Sequence, residues 1–269
     1  MANSKYEYVR DFEKDDSLLP NCAIVIRIDG HSFHRFSAVH DFAKPNDRAA
    51  LDLMNHAARC VMSAFPDITL GYGISDEFSF LLRPSCVTFG RRDSKLVSTV
   101  VSIFTGAYIF AWPTYFPDKA MQYPPSFDGR AVLYPTRQTV VDYFSWRQVD
   151  AHINNLFNTC FWTLQRVDPK HGGPRKSAQE AEEVLRGTVA AQKNELLWRD
   201  YGVNYNDEAE MYKKGSILLY NLGERAGDGA SKTSRLREEK RRRKEGVSVV
   251  HVDLIQESFW LRYPHILEP

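Results

Sequence analysis

The amino-acid sequence predicts an α+β fold whose N-terminal half forms a β-α-β-β-α-β core. Three observations support this prediction: the hydrophobic periodicity, a hairpin pattern around a short polar tip, and a change to helical patterning beyond residue 135. Hydrophobic residues make up 43% of the 269 residues, which supports a large buried core and argues against intrinsic disorder. We therefore expect a core domain over residues 1–135 and a helical extension over residues 136–269, packed as one globular unit.

The strands and helices of the core follow from the spacing of apolar residues. A β-branched run predicts the first strand, and an amphipathic stretch that stops before Pro66 predicts the first helix. A hairpin, a long apolar helix and a short fourth strand complete the core. The predicted ranges are 22–28, 46–65, 68–74, 77–82, 94–112 and 131–134. This order is typical of ferredoxin-like and polymerase-palm folds, and it places the first strand beside the third.

The helical extension is predicted to end in a small β-hairpin. The predicted ranges are 140–164, 178–186 and 189–201 for helices, and 216–221 and 247–254 for strands. The loop between the two strands, residues 222–246, carries a dense run of Lys and Arg. Because the net charge of the whole chain is only +1, this local basic loop is a candidate phosphate-contacting segment, although such runs are usually solvated surface.

Composition also limits the compartment and the class of protein. The sequence shows no apolar run of transmembrane length and neither a secretory nor a transit pattern at its start. Its four cysteines are scattered without a CxxC pair, which favours reduced thiols over a zinc site or a disulfide framework. We expect a cytoplasmic protein, with the nucleus as an additional location, and no association with a membrane.

Two carboxylates are predicted to meet where neighbouring strands end. Asp29 follows the apolar run 24–28, and Asp76 lies at the tip of the hairpin. Carboxylate oxygens suit Mg²⁺, and two such ions can activate an attacking oxygen and stabilise a leaving pyrophosphate. Gly30 allows the backbone to approach an ion or a phosphate closely. Taken singly, Asp29-Gly30 is better explained as a turn and Ser75-Asp76 as a turn or cap, but their combination with the strand order favours a metal site.

Polar residues beside the carboxylate pair are further candidates. Strand alternation points Glu77 away from Asp76 unless the turn bends it back, so Glu77 could be a third ligand or an outer-sphere partner. His31 and His34 could contact a base or a phosphate, or could belong to structural hydrogen bonds.

A stripe of uncharged polar residues is predicted along the first helix of the extension. His152 and Asn155 share one helical face, which suits contacts with RNA or a triphosphate but also suits an internal polar seam. The segments 193–195 and 204–206 are weaker candidates, because a lysine on a helix is usually solvated.

Four motifs together make the chain similar to a known family. They are Arg27–Phe33, Gly73–Phe80, His152–Leu156, and the segment from Lys193-Asn194-Glu195 to Asn204-Tyr205-Asn206. In their order, and over nearly the whole chain, these motifs resemble the tRNA-His guanylyltransferases. One position departs from the family pattern, because Phe157 stands where the family commonly has Tyr.

The resemblance implies a palm domain and the addition of one guanosine to the 5′ end of tRNA-His, opposite to the polymerase direction. ATP would first adenylylate the 5′-monophosphate. The 3′-hydroxyl of GTP would then attack the activated phosphate with release of AMP, and pyrophosphate would be removed from the added nucleotide. The resemblance also implies two Mg²⁺ ions, ATP and GTP as substrates, tRNA-His as partner, and a homotetramer built as a dimer of dimers.

The resemblance also implies roles for individual residues. Asp29 and Asp76 resemble the catalytic metal ligands, with the Gly30 carbonyl helping one ion, and Glu77 matches a catalytic acidic position of open role. The nucleotide-binding positions are Asp29, Gly30, His31, Ser32, Phe33, His34, Lys44, Ser75, Asp76, Arg92 and Lys95, of which Lys44, Arg92 and Lys95 would bind the triphosphate. Candidates for tRNA handling or activation are His152, Lys193 and Asn204 by resemblance, Asn155 from the polar stripe, and Arg241, Arg242 and Arg243 from the basic loop.

Two alternatives use the same residues. A nucleotide cyclase or conventional polymerase would share both aspartates with a different nucleophile geometry, although the polar stripe and the basic loop argue against a small-molecule cyclase. A non-catalytic RNA-binding protein is the second alternative, but buried carboxylates that face RNA without a cation would only weaken binding.

Overall fold

The fold is built on one six-stranded antiparallel sheet. The computed structural model describes residues 4–220 and 246–267. The strands are β1 Ala23–Gly30, β2 Ile68–Ile74, β3 Glu77–Leu82, β4 Phe127–Tyr134, β5 Ser216–Tyr220 and β6 Val247–Val250. They lie in the order β4-β1-β3-β2-β5-β6, and each of these neighbouring pairs is antiparallel.

Helices cover the sheet on both faces. Within the described ranges they are α1 Phe33–Val39, α2 Arg48–Ala64, α3 Asp93–Tyr115, α4 Arg137–Arg166, α5 Ala178–Leu185, α6 Ala190–Leu196, α7 Glu210–Lys214 and α8 Glu257–Arg262. The elements β1, α2, β2, β3, α3 and β4 follow the predicted β-α-β-β-α-β order, and β1 lies beside β3. The predicted α+β class and palm-like strand arrangement are therefore confirmed.

Because both faces of the sheet are covered, β1 is apolar along most of its length. Ile24, Ile26 and Ile28 point into a core that α2 and α3 complete. Val25, on the opposite face, belongs to a second core beneath α4 and α8. Successive residues of a strand point to opposite faces, so one continuous apolar run supplies both cores. Arg27 also faces α4, where charged partners surround it.

The boundaries of several elements differ from the predicted ones. Helices α1, α7 and α8 were not predicted, α4 is one continuous helix of 30 residues, and β6 ends before residue 254. Strand β4 begins at Phe127, although Asp128-Gly129-Arg130 has the composition of a turn. Glycine is needed inside this strand, because a Cβ at position 129 would lie 2.5 Å from Cγ2 of Val101 in α3.

The C-terminal strands do not form a separate hairpin. Gly71 of β2 pairs with Leu218 of β5, so β5 and β6 extend the main sheet. The predicted small hairpin is therefore present as β5 and β6, and its pairing with β2 lets the main sheet cover residues 217–219, which a two-stranded ribbon on its own could not do.

Helix α3 is long and apolar enough, by length and composition alone, to cross a membrane. The prediction that no apolar run reaches this length was therefore wrong. One such helix is weak evidence of a membrane span, because the central helix of a compact domain passes the same test. A ridge of α3 is buried in the core at four-residue spacing, at Leu96, Val100, Phe104, Tyr108 and Trp112. This ridge packs against the sheet and α2, whereas the apolar window as a whole is only 33% buried.

Candidate active site

The end of β1 and the tip of the β2–β3 hairpin are tied together by the backbone. The Gly30 N–H donates to the carbonyl oxygen of Asp76 at 3.0 Å. Each segment then turns sharply at a serine with positive φ, Ser32 at 54° and Ser75 at 52°. Such conformations are uncommon for residues other than glycine and often mark functional sites. A Cβ at position 30 would lie 2.3 Å from Cδ2 of Phe33, so this turn requires glycine.

A cleft of about 510 Å³ opens beside this junction. Its walls come from the start of α1, the loop 42–47, the start of α2 and the middle of α4. Eight of the predicted site residues line it: Gly30, Ser32, Phe33, His34, Lys44, Ser75, Asp76 and Asn155. A cleft of this size can hold a nucleotide-sized ligand.

Asp76 is the acidic centre of the cleft. Burial raises the pKa of its carboxyl group, and the nearby charge of Asp29 raises it further. A buried carboxylate repelled by a second carboxylate is an arrangement that a bound cation would stabilise. The donor set therefore fits a hard cation such as Mg²⁺.

Lys44 brings a positive charge to the same cleft. Its Nζ donates to the Ser37 hydroxyl at 2.8 Å. Burial lowers the pKa of the Lys44 ammonium and the neighbouring charge of Arg166 adds to this effect, whereas Asp47 and Asp76 act in the opposite direction. A half-buried ammonium that faces open space is suited to a phosphate group.

Asp29 and Glu77 lie at the side of the cleft and not in its lining. The two residues are paired in the register between β1 and β3, so their side chains leave the same face of the sheet. Arg27 donates to Asp29 at 3.0 Å and contacts Glu77 at 2.6 Å. Arg147 of α4 contacts Glu77 at 3.1 Å. With two guanidinium partners, Glu77 has the surroundings of an outer-sphere residue, one of the two roles the sequence left open.

The residues after Gly30 separate into two environments. Ser32 and His34 line the cleft, whereas His31 is exposed and lies outside its lining. The Phe33 side chain is only 8% exposed and stacks on Phe36 with ring centroids 4.8 Å apart. Phe33 thus forms the apolar floor of the cleft.

The structure does not bring Arg92 and Lys95 to the cleft of their own chain. Both lie at the start of α3, whereas the cleft-lining residue of that helix is Tyr108. At 1.5 Å per residue, Lys95 lies about 20 Å along the helix from Tyr108. Arg92 is paired with Asp16 at 2.9 Å. Within one chain Arg92 and Lys95 are therefore remote from Lys44, because α3 runs away from the cleft.

The candidates in the helical extension differ in their surroundings. Asn155 is buried, and it accepts from Asn46 at 2.9 Å and donates to the Tyr205 hydroxyl at 3.0 Å. This is the internal polar seam that the sequence allowed as an alternative. Exposed His152 has its ring 5.7 Å from that of Tyr205.

The two remaining candidates of the extension make local hydrogen bonds. Lys193 Nζ donates to the carbonyl of Thr188 at 2.7 Å, and the Asn204 side chain accepts from the backbone N–H of Asn206 at 3.2 Å. Neither residue lines the cleft. Arg241, Arg242 and Arg243 lie outside the described residues.

Several residues of this region were not predicted from the sequence to belong to the site. Asn46 and Asp47 line the cleft, and Asp47 caps α2 by accepting from the Ala50 N–H at 3.0 Å. Arg27 and Arg147 surround Glu77. A charged residue inside an otherwise apolar strand was the available signal for Arg27, whereas the position of Arg147 depends on how α4 crosses the sheet.

Within residues 4–220 and 246–267, no group of three or more His, Cys, Asp or Glu side chains could hold a metal ion. An ion bound at Asp29 and Asp76 would therefore need further oxygen ligands from a substrate. That requirement matches the usual coordination of Mg²⁺ by one or two carboxylates together with phosphates.

Comparisons with known proteins point to one family over nearly the whole chain. A family model described as tRNAHis guanylyltransferase matches residues 6–135, and one described as Thg1 C terminal domain matches residues 138–256. The tRNA(His) guanylyltransferase of Neurospora crassa is 51% identical over 99% of this chain and 96% of its own length. The human protein described as a probable tRNA(His) guanylyltransferase is 44% identical over 100% of this chain and 89% of its own.

Solved structures share the fold. The crystal structure of the Saccharomyces cerevisiae tRNA(His) guanylyltransferase has a TM-score of 0.74 and 48% identity, and it covers 79% of this chain and 92% of that one. A bacterial Thg1-like protein solved in complex with ATP has a TM-score of 0.73 at 21% identity, covering 98% of this chain and 99% of its own. The fold and the matches define a nucleotidyltransferase.

Within that class, the chain belongs to the tRNA(His) guanylyltransferase family.

Proposed function

We propose that the protein adds one guanosine to the 5′ end of tRNA-His. It would adenylylate the 5′-monophosphate with ATP, and the 3′-hydroxyl of GTP would then displace AMP. The observation that carries this proposal is the junction of Asp29 and Asp76 beside a cleft that also holds Lys44. Relatives of this chain carry the name of this activity, and bacterial Thg1-like proteins have been solved with ATP and with GTP.

We propose that Asp29, Asp76 and the Gly30 carbonyl hold two Mg²⁺ ions together with substrate phosphates. When bound, the ions supply positive charge that stabilises a leaving pyrophosphate and lowers the pKa of an attacking hydroxyl. The residues of this chain fit that role because Asp76 is half-buried beside a second carboxylate, an arrangement that a cation stabilises.

The remaining work of the site is the positioning of substrates. Phosphoryl transfer depends mainly on alignment and on neutralisation of charge. Lys44 would bind the triphosphate, while Ser32, His34 and Ser75 offer hydrogen-bonding groups along the same wall. Phe33 forms an apolar floor that excludes water from that wall.

The partners and the assembly of the protein are part of the proposal. We infer that tRNA-His contacts His152, Lys193 and Asn204 on the extension and the basic residues Arg241, Arg242 and Arg243. We also infer a homotetramer, in which Arg92 and Lys95, remote from the cleft of their own chain, would serve the site of another subunit. The proposed location is the cytoplasm, with the nucleus as an additional site.

A labelled-RNA assay tests the proposed reaction. The protein is given 5′-³²P-monophosphorylated tRNA-His, ATP, GTP and Mg²⁺, beside Asp29→Asn, Asp76→Asn and the control Asp128→Asn. Asp128 is exposed and lies opposite Asp29 on β4, so its substitution removes the same charge from the neighbouring strand. We expect extension by one nucleotide for the wild type and the control, and a loss of at least about a hundredfold in the two site variants.

Other outcomes of the assay would point to the alternatives. Binding of tRNA without an adenylylated intermediate or extension would favour a non-catalytic RNA-binding protein. Formation of a cyclic nucleotide from ATP would favour a cyclase. Extension that survives in both site variants would mean that the carboxylate pair is not the catalytic site.

A further inference from the structure

A cluster of charged side chains adjoins the candidate metal site on the α4 side of the sheet. The Glu77 carboxylate is 8% exposed and lies between two guanidinium groups. Nη2 of Arg27 is 2.6 Å from Glu77 Oε2, and Nη1 of Arg147 is 3.1 Å from the same oxygen. We call these three residues the Arg27–Glu77–Arg147 cluster.

The cluster reaches the metal site through Arg27. The same Nη2 atom that contacts Glu77 also donates to Oδ2 of Asp29 at 3.0 Å. Arg27 and Asp29 are two residues apart on β1, and Asp29 is paired with Glu77 across β1 and β3, so all three side chains leave one face of the sheet. Arg27 therefore divides its contacts between Glu77 and Asp29.

Arg147 is fixed in place from several sides. Its side chain is 5% exposed, and its second terminal nitrogen contacts Asp150 at 3.3 Å. The guanidinium carbon also lies 3.5 Å from the centre of the Trp146 ring, within range of a cation–π interaction. Glu77 thus has one firmly held partner on α4 and one partner, Arg27, that it shares with the metal site.

A role in stability explains this cluster poorly. Taking charges out of water is unfavourable, and buried ion pairs are often no more stabilising than apolar residues of similar size. The Nε atoms of Arg27 and Arg147 are also buried without a hydrogen-bond partner in the described part of the chain, which adds to the unfavourable side. Its position beside Asp29 suggests that the cluster serves the site.

We propose that Glu77 is a positioning residue that holds Arg27 away from full pairing with Asp29, and that Arg147 limits this pull because it competes with Arg27 for the Glu77 carboxylate. The Asp29 carboxylate thereby stays available to a divalent cation, because Arg27 and the cation compete for the same oxygen. This inference rests on the metal site proposed above. It assigns Glu77 an indirect role through Arg27, and it assigns Arg147 a role although Arg147 is not in the cleft.

The proposal predicts effects of opposite sign for two neighbouring substitutions. With Glu77→Gln, Arg27 loses its main partner and closes on Asp29, so the affinity for a divalent cation falls by about tenfold, the usual size of an outer-sphere effect. With Arg147→Gln, Glu77 keeps Arg27 as its only partner and draws it further from Asp29. The affinity of this variant for the cation therefore rises.

A double-mutant cycle separates this mechanism from its rivals. Binding of Mn²⁺, with Mg²⁺ as competitor, is measured by electron paramagnetic resonance on the full chain and on Glu77→Gln, Arg147→Gln, Arg27→Gln and Arg27→Gln/Glu77→Gln. If Glu77 acts through Arg27, Glu77→Gln changes the affinity by less than about twofold once Arg27 is absent. An equal loss with and without Arg27 would mean direct ligation or simple charge attraction, and would overturn the proposal.

A charge control and two further outcomes distinguish a failure of this proposal from a failure of the proposed metal site. Arg130→Gln removes an exposed positive charge from the position opposite Arg27 on β4, where Arg130 pairs with Asp128, and should change Mn²⁺ affinity by less than about twofold because solvent screens it from Asp29 and Glu77. A loss of affinity in Arg147→Gln, equal to that in Glu77→Gln, would indicate general loosening and would also overturn the proposal. A wild type that binds no Mn²⁺, or Asp29→Asn that binds it normally, would instead overturn the proposed metal site itself.

Discussion

At the scale of single residues, the site contains charged groups whose charged forms are disfavoured by burial and by neighbouring groups of like charge. Asp76 is half-buried beside Asp29, and Lys44 is half-buried beside Arg166. In both cases burial is the main cause of the pKa shift, and in both cases it disfavours the charged form. A bound metal–nucleotide complex would supply the missing opposite charges. Binding of such a ligand would therefore favour the charged forms of both groups.

Lys44 leads to a prediction for the pH dependence of nucleotide binding. The pKa of Lys44 is lowered, so its ammonium is charged below that pKa and becomes neutral as pH rises through it. We expect the affinity for ATP, measured by calorimetry without divalent metal, to decline at a pH below the ordinary lysine pKa of about 10.4. Lys44→Arg keeps its charge over this range and should remove the decline. An identical decline in both proteins would exclude Lys44 as its source.

At the scale of elements, one buried arginine joins the N-terminal arm, the turn after β3 and the segment before α3. Arg91 is 7% exposed, and its guanidinium donates five hydrogen bonds to backbone carbonyls. The acceptors are Leu18, Leu19, Cys22, Pro84 and Cys86. Every N–H of the side chain is thus used, a pattern that a lysine with three donors cannot reproduce.

We therefore predict that Arg91→Lys lowers the free energy of unfolding by about 3 kcal/mol, because several buried carbonyls lose their donor. Urea denaturation followed by circular dichroism would measure the change. Arg92→Lys is the matched control, since Arg92 is adjacent and partly exposed, and its loss should be much smaller. Equal losses in the two variants would show that the hydrogen bonds from Arg91 to the backbone carbonyls do not anchor these segments.

The order of the strands and helices could be predicted from the sequence, whereas one strand boundary and the contacts between distant segments could not. The β-α-β-β-α-β order and the pairing of β1 with β3 were predicted, because hydrophobic periodicity is a local property of each segment. The start of β4 was missed because Asp128-Gly129-Arg130 has turn composition, although glycine is needed there for contact with α3. Contacts between distant segments carry no such local signal. The pairing of Glu77 with Arg147 and the distance of Lys95 from the cleft depend on how whole helices lie.

At the scale of the whole molecule, the sheet connects the two parts that the family models describe separately. Strands β1 to β4 lie within residues 6–135, and β5 and β6 lie within residues 138–256. Because β5 pairs with β2, the second part completes the sheet of the first. Helix α4 then carries Arg147 to Glu77 and Asn155 to the loop at Asn46, so the extension borders both the carboxylate pair and the cleft.

We predict that the carboxylate pair Asp29 and Asp76 serves both chemical steps of the proposed reaction. A single-turnover comparison of wild type and Asp76→Asn on two substrates tests it most directly: 5′-monophosphorylated tRNA-His with ATP, and 5′-triphosphorylated tRNA-His with GTP. The second RNA already carries a leaving group and needs no adenylylation. We predict that the variant loses adenylylation of the first RNA and extension of the second to a similar extent. Normal extension of the triphosphorylated RNA by Asp76→Asn would contradict the claim and place the second step elsewhere.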